Sequence, residues 1–390
     1  MIRPFEFSCP TRILLGAGQV AALSRLVPTE ARVLITFGQD SARLSGLADQ
    51  VRGALEGREL SEFWGISPNP TIETLAPLLE QVRQSKPNFL LAVGGGSVVD
   101  ATKFASVAAL AEVDPWTIVV KNLKLDRKVQ LGVVVTMAGT GAETNSIAAI
   151  SKSDTKQKLV YINPQIRPDF AILDPDLLQT LPTSQLANGV ADALVHILEQ
   201  YATYPVGAVL QERLAEAALA TLFEVGPVLA SGEAGVEART NFLWAACLAQ
   251  SGLLASGVPE DWATHFIGHE LTAHFGVPHA RSLTLLLPHL YRLRLSKKSA
   301  MLAQFGRRVL GLTGEEEAVA RRAIERLEEF FQALGLPTDL RTLSIDESGL
   351  QKILQGLKGA RRLRLGERLD ITLSDVEALL RQGTGLSPAS

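Results

Sequence analysis

The chain has 390 residues, 46% of them hydrophobic and 20% charged, which calls for about two domains with sizeable buried cores. A net charge of −3 gives no general attraction to nucleic acid or to an anionic membrane, so neither is an expected partner. The two widely spaced cysteines, Cys9 and Cys247, make neither a disulfide framework nor a thiolate metal site. Residues 1–8 show no signal-peptide pattern and no unbroken apolar run has membrane-spanning length, so a soluble cytoplasmic protein is expected.

Residues 1–180 alternate short apolar runs with amphipathic stretches. Runs 33–37, 89–93, 132–136 and 170–173 read as strands, and 71–85 and 98–111 as helices. Apolar strands alternating with helices imply a parallel sheet covered on both faces, with ligands at the carboxyl ends of the strands. From about residue 182 long apolar-periodic segments take over, at 184–202, 207–230, 236–256, 260–275 and 315–334. The expected architecture is an α/β, Rossmann-like domain over 1–180 and an all-α domain over 181–390. The basic run from Lys358 to Arg364 reads as solvated surface, and the tail after Gly383 as loose.

Three loops in the first half are rich in glycine. Gly16-Ala-Gly18-Gln-Val-Ala21 has the outline of a dinucleotide fingerprint, but the preceding run is short and an alanine replaces the third glycine. It reads better as a plain turn into a helix. Gly94-Gly95-Gly96-Ser97 follows the strongest strand run and opens a helix. Three glycines let backbone N–H groups approach a diphosphate, whose charge the helix N-terminus favours, and Ser97 can cap the helix or donate to phosphate. The loop from Thr136 through Gly139, Thr140 and Gly141 to Asn145 follows another strand and supplies a second wall for an extended cofactor.

Four of the six histidines fall between positions 265 and 279. His265 and His269 are four apart, hence on one helix face, as are Asp192 and His196 earlier in the chain. His274 should point away from His265. Gly276 and Pro278 should end the helix, leaving His279 free to fold back. The spacing His269-Glu270-x-x-x-His274 is one residue too long for the H-E-x-x-H metalloprotease motif. The residues alone leave five metal-ligand candidates, Asp192, His196, His265, His269 and His279, one more than a site with room for substrate needs. Three imidazoles and a carboxylate suit Zn2+ or Fe2+.

The segments Gly94-Gly-Gly-Ser97-Val-Val-Asp100, 136–145, Ala191-Asp192-Ala-Leu-Val-His196-Ile-Leu-Glu199-Gln200-Tyr201, Asp261-Trp-Ala-Thr-His265-Phe-Ile-Gly-His269-Glu270 and His279-Ala, in this order, resemble the iron-containing alcohol dehydrogenase family. The likeness is strongest to its NADPH-dependent bacterial aldehyde reductases and butanol dehydrogenases. It implies a Rossmann-like domain, a helical domain and an active site in the cleft between them. It assigns the metal to Asp192, His196, His265 and His279, and makes His269 a non-ligand beside nicotinamide and substrate, the candidate proton carrier. It assigns Gly94, Gly95, Ser97 and Asp100, with Gly96 between them, to the diphosphate turn, and Thr136, Thr140, Asn145 and Lys158 to the nicotinamide, ribose and phosphate site. Gly38, Ser41 and Arg43 agree with the NADPH-preferring branch, whereas Gln39 and Asp40 depart from it. NADP(H) is therefore the expected cofactor, with NAD(H) the alternative.

The implied activity is hydride transfer between NADP(H) and a small aldehyde or primary alcohol at one Fe2+ or Zn2+, in a homodimer. A lyase of the dehydroquinate-synthase kind, also NAD- and metal-dependent, resembles the 265–279 segment less well. A non-catalytic, metal-stabilised binding module would favour a closed cysteine site, which is absent.

Overall fold

Alternating buried runs and helices do build a parallel sheet. In the computed structural model, which describes residues 1–387, the chain forms β1 (Arg12–Leu15), α1 (Leu23–Leu26), β2 (Arg32–Phe37), α2 (Ser41–Leu44), α3 (Leu47–Ala54), β3 (Glu59–Phe63), α4 (Ile72–Ser85), β4 (Phe89–Gly94), α5 (Gly96–Ala108), α6 (Pro115–Lys121) and β5 (Gln130–Val135). An antiparallel hairpin, β6 (Ile147–Lys152) and β7 (Gln157–Ile162), precedes β8 (Phe170–Leu173). The six-stranded sheet has the order β1-β8-β5-β4-β2-β3, and all its pairs are parallel. β4 and β8 are buried throughout and β5 at every position after Gln130, because helices cover both faces.

The chain steps outward from β2 to β3, then returns to the other flank of β2 with β4 and continues to β5. The topological switch therefore lies between β2 and β4, where open α/β sheets bind ligands at their carboxyl ends. Phe37 pairs with Val93 and Gly94 with Val135, so the loops that begin at Gly38, Gly95 and Thr136 leave the sheet side by side. Gly16 and Gly18 follow edge strand β1, which β8 and β5 separate from β4. That position agrees with reading them as a turn.

The later part is helical: α7 (Thr183–Tyr201), α8 (Val209–Ser231), α9 (Val236–Ala249), α10 (Ala263–Phe275), α11 (His279–Leu293), α12 (Leu295–Arg308), α13 (Glu316–Ala333), α14 (Glu347–Gly359) and α15 (Leu373–Thr384). One two-residue ladder, β9 (Arg364–Leu365) with β10 (Ile371–Thr372), interrupts the helices. Ile267, Leu271, Leu286, Leu290, Ile353 and Leu379 belong to one core cluster from α10, α11, α14 and α15. α15 carries order past Gly383 to Thr384, and residues 388–390 of the expected tail lie outside the described residues.

Chain contacts group residues 8–182 with 235–247 in one unit, and residues 1–7 and 183–234 with those from 248 onward in the other. The main change at Thr183 lies beside the expected boundary, while residues 1–7 and 235–247 group across it. α8 is long and apolar enough to cross a membrane by length and composition, although its apolar run is not unbroken. Glu212, Arg213 and Glu216 interrupt its first half, and Leu219, Leu222 and Leu229 are fully buried, as in a core helix.

Candidate active site

In the sheet unit, Gly95 caps α5 in an extended conformation, with no side chain capping the helix. The first turn thus has no side chain competing for its N–H groups, a ready anion site. A Cβ on Gly96 would meet Thr140 at 2.7 Å, so the approach of turn to loop admits only glycine there, and one on Gly94 would meet Val98 of α5 at 2.5 Å. Thr136 N donates to Gly94 O at 3.0 Å, joining the two loops directly. Asp100 Oδ2 accepts from Ala149 N at 3.0 Å, which ties α5 to the hairpin. Burial pushes its carboxyl above the usual range, opposed by the Lys103 ammonium.

Ser97 Oγ accepts from Asn69 N at 3.2 Å, and Lys158 Nζ donates to Asn69 Oδ1 at 2.9 Å. The sequence reading missed Asn69, whose position between Pro68 and Pro70 was its only signal; it sits in the left-handed region, at φ 52°. Gly38 and Ser41 lie at the carboxyl end of β2, with Ser41 opening α2. Asp40 is 3.4 Å from Arg43. The Arg43 guanidinium lies 3.8 Å over the Trp64 ring, which stacks on Phe37.

We expect Gly96→Val to weaken dinucleotide binding at least tenfold while leaving metal content unchanged, because the added methyls invade the turn that Thr140 already fills. Fluorescence titration with NADPH beside metal analysis checks this. An unchanged Kd would remove the turn from the site.

In the helical unit, α7 is buried from Gly189 to Tyr201, so each polar side chain in that stretch needs a partner. Gln200 donates to His196 O and Ala249 O. Glu199 accepts from Thr264 N at 2.7 Å and contacts His265 Nδ1. Asp192 differs. Its Oδ1 is buried and makes no hydrogen bond, yet it lies 3.7 Å from His196 Nε2, 4.0 Å from His265 Nε2 and 3.8 Å from His279 Nε2. Donors around one tetrahedral ion at ~2.1 Å stand about 3.4 Å apart, so the three separations from Asp192 are slightly longer than those across a closed metal cage. Ligand atoms of Asp192, His265 and His279 all lie within 4.8 Å of one another. The His196 and His265 rings stack at 4.5 Å.

Helix geometry builds this cage. Asp192 and His196 are one turn apart on α7, and His265 is in the first turn of α10. α10 ends at Gly276, in the left-handed conformation at φ 67°, and Pro278 caps α11. His279 is thus the first residue of a new helix, not part of a loose turn. The His269 ring is 5.4 Å from that of His279. His274 Nε2 approaches Glu270 Oε2 at 3.4 Å. Trp262 packs edge-on to His265 at 5.3 Å. Arg362, read from the sequence as surface, lies 3.1 Å over the Phe266 ring, and burial lowers its pKa to about 10; its apolar neighbour makes the local charge run a poor guide.

The sequence reading also gave no role to Glu199. Burial first, then the nearby Asp261 carboxylate, raises its carboxyl above the usual range, while the hydrogen bonds from Thr264 and the His196 imidazole oppose that rise. Asp261 N donates to Glu199 O at 2.8 Å. Lys298 Nζ meets Asp261 at 2.8 Å and Glu367 at 3.0 Å, a buried cation that offsets two carboxylates.

Residues 10–175 match the family described as iron-containing alcohol dehydrogenase, and residues 186–383 match its C-terminal domain family. The chain is 44% identical over 373 residues to the NADPH-dependent aldehyde reductase YqhD of Escherichia coli, covering 95% of this chain and 96% of that one. It is 35% identical to NADH-dependent butanol dehydrogenase B of Clostridium acetobutylicum, covering 89% and 90%. The crystal structure of E. coli YqhD superposes with a TM-score of 0.95 at 42% identity, covering 98% of this chain and 99% of that one.

Proposed function

The chain belongs to the iron-containing alcohol dehydrogenase family, and we propose from that premise that it interconverts small aldehydes and primary alcohols with NADP(H). It is a metal-dependent alcohol dehydrogenase or aldehyde reductase that uses a nicotinamide cofactor. The observation that carries the detailed reading is the buried Asp192 Oδ1, which makes no hydrogen bond and has three imidazole nitrogens within 4.0 Å.

Asp192, His196, His265 and His279 would hold the ion. Three neutral imidazoles and one carboxylate leave a divalent metal at net charge +1. When bound, it supplies Lewis acidity to the substrate's carbonyl oxygen as hydride reaches the carbon. Fe2+ is the family's namesake, and Zn2+ binds such donors more tightly by the Irving–Williams order. His269 delivers the proton to the product oxygen in reduction and accepts it in oxidation. Gly94, Gly95, Gly96, Ser97 and Asp100 form the diphosphate turn, with Thr136, Thr140, Asn145 and Lys158 around the rest of the cofactor. A homodimer in the cytoplasm completes the reading.

Preference for NADP(H) rests on Arg43. Held by Trp64 and 3.4 Å from Asp40, it offers a cation to a 2′-phosphate near Gly38 and Ser41. It also draws on the one carboxylate that would otherwise accept from a 2′-hydroxyl. Following absorbance at 340 nm with butanal, on protein of measured metal content, should give a kcat/KM for NADPH at least fivefold above that for NADH. The reverse order sinks the cofactor choice. Phosphate release from a sugar-phosphate substrate with no net change at 340 nm would favour the lyase.

A further inference from the structure

Lys103 has no role in the reading above, yet it is a fully buried cation whose ammonium is engaged on several sides. It lies on the second turn of α5 and is fully buried. Its Nζ donates to Ala142 O at 2.8 Å and to Asn145 Oδ1 at 2.7 Å, and stands 4.0 Å from Asp100 Oδ1. An ammonium in such a place is costly unless its donors are used. Burial lowers its pKa to about 8.

Asn145 Oδ1 accepts a second hydrogen bond, from Ile147 N at 2.9 Å. Two donors on one atom fix which end of the amide is oxygen. The Nδ2 group is then the only side-chain donor Asn145 has left to offer. The order of loops along the sheet says to what. The β2 loop with Gly38 and Ser41, the β4 turn with the glycines and the β5 loop with Asn145 leave three neighbouring strands in sequence. A dinucleotide with its diphosphate on the central turn and its adenosine ribose at the β2 loop has its nicotinamide half at the β5 loop.

We propose that Lys103 is a positioning residue for the nicotinamide half of the cofactor: its buried ammonium holds the side-chain oxygen of Asn145 and so presents that residue's NH2 group as a donor. One residue of the helix that binds the diphosphate thereby sets the loop that meets the reactive ring. The inference rests on the nucleotide reading of the turn given above.

The test is calorimetric titration of the metal-loaded enzyme with NADP+ and with adenosine 2′,5′-bisphosphate, which lacks the nicotinamide half. Lys103→Met should raise the Kd for NADP+ about three- to tenfold, the range of one neutral hydrogen bond, and leave that for the bisphosphate within twofold. Asn145→Ala should show the same selective loss, and the double variant no more than either single one. Equal weakening of both ligands, the mark of a damaged turn, overturns the proposal, as does additivity. Should Lys103→Met fail to fold, Asn145→Asp keeps a partner for Lys103 and loses the NH2 donor. It should still lose NADP+ affinity selectively, and unchanged affinity there overturns the proposal. Wild-type protein that binds neither ligand would sink the cofactor reading itself. Wild-type protein that binds both, with no selective loss in the variants, sinks only the role of Lys103.

Discussion

His279→Ala should yield a folded protein that retains no stoichiometric metal and has lost at least a thousandfold in kcat/KM. The site is suited to a clean experiment. His279 opens α11 directly after Pro278, and its side chain is 24% exposed, so truncation removes little packing. What it removes is one of three imidazoles within 4.0 Å of Asp192 Oδ1. The remaining Asp192, His196 and His265 still form a partial cage, but three donors bind far more weakly than four. Loss of Lewis-acid stabilisation worth several kcal/mol is a loss of about a thousandfold or more in rate.

Metal analysis, circular dichroism and the 340 nm assay read the three consequences separately. A further signature comes from linkage: an ion that binds only the folded state raises its stability. A chelator should therefore lower the Tm of the wild type and leave that of His279→Ala unchanged. Full activity with stoichiometric metal in the variant would overturn the ligand assignment.

Helical periodicity narrowed the metal ligands to five candidates, and the family resemblance, not the arithmetic, set His269 apart from the other four. Four-residue spacings put Asp192 with His196 on α7, and Gly276 with Pro278 mark where α10 stops. The sheet was legible where strands are buried on both faces, as β4 and β5 are. It was illegible at β3 and the β6–β7 hairpin, where half-exposed positions carry polar residues and blur the pattern. The helix expected over 236–256 ends at Ala249, since Gly252 and Gly257 take left-handed conformations that turn the chain. Those glycines were a usable signal.

The grouping of 235–247 with the sheet unit has no local signature, because it is a property of contacts far apart in sequence. The supporting polar residues were harder still. Glu199 and Lys103 are charges in largely buried helices. That marks them as paired, but which partner each finds is decided only when distant segments meet.

Glu199→Gln should weaken metal binding about 10–100-fold while the protein stays folded and regains much of its activity at saturating metal. The magnitude is that of losing the carboxylate behind a ligating imidazole. The cause is geometric. The Glu199 carboxylate presents one oxygen to Thr264 N at 2.7 Å and the other to His265 Nδ1. Two acceptors are needed, and glutamine offers one acceptor and one donor. Whichever way the amide turns, an NH2 group faces either a backbone N–H or the ring nitrogen. Against the ring it selects the tautomer that leaves the hydrogen on Nε2, the nitrogen 4.0 Å from Asp192 Oδ1, where a ligand must have a lone pair. Against Thr264 it strains the first turn of α10, which carries His265. Both outcomes lower affinity without deleting a ligand, so the deficit should be recoverable with excess metal, unlike that of His279→Ala. Competition against a chromogenic chelator gives the affinity, and activity against free metal concentration gives the recovery. A Glu199→Gln variant with wild-type metal affinity would show that the carboxylate serves the fold of α10 alone.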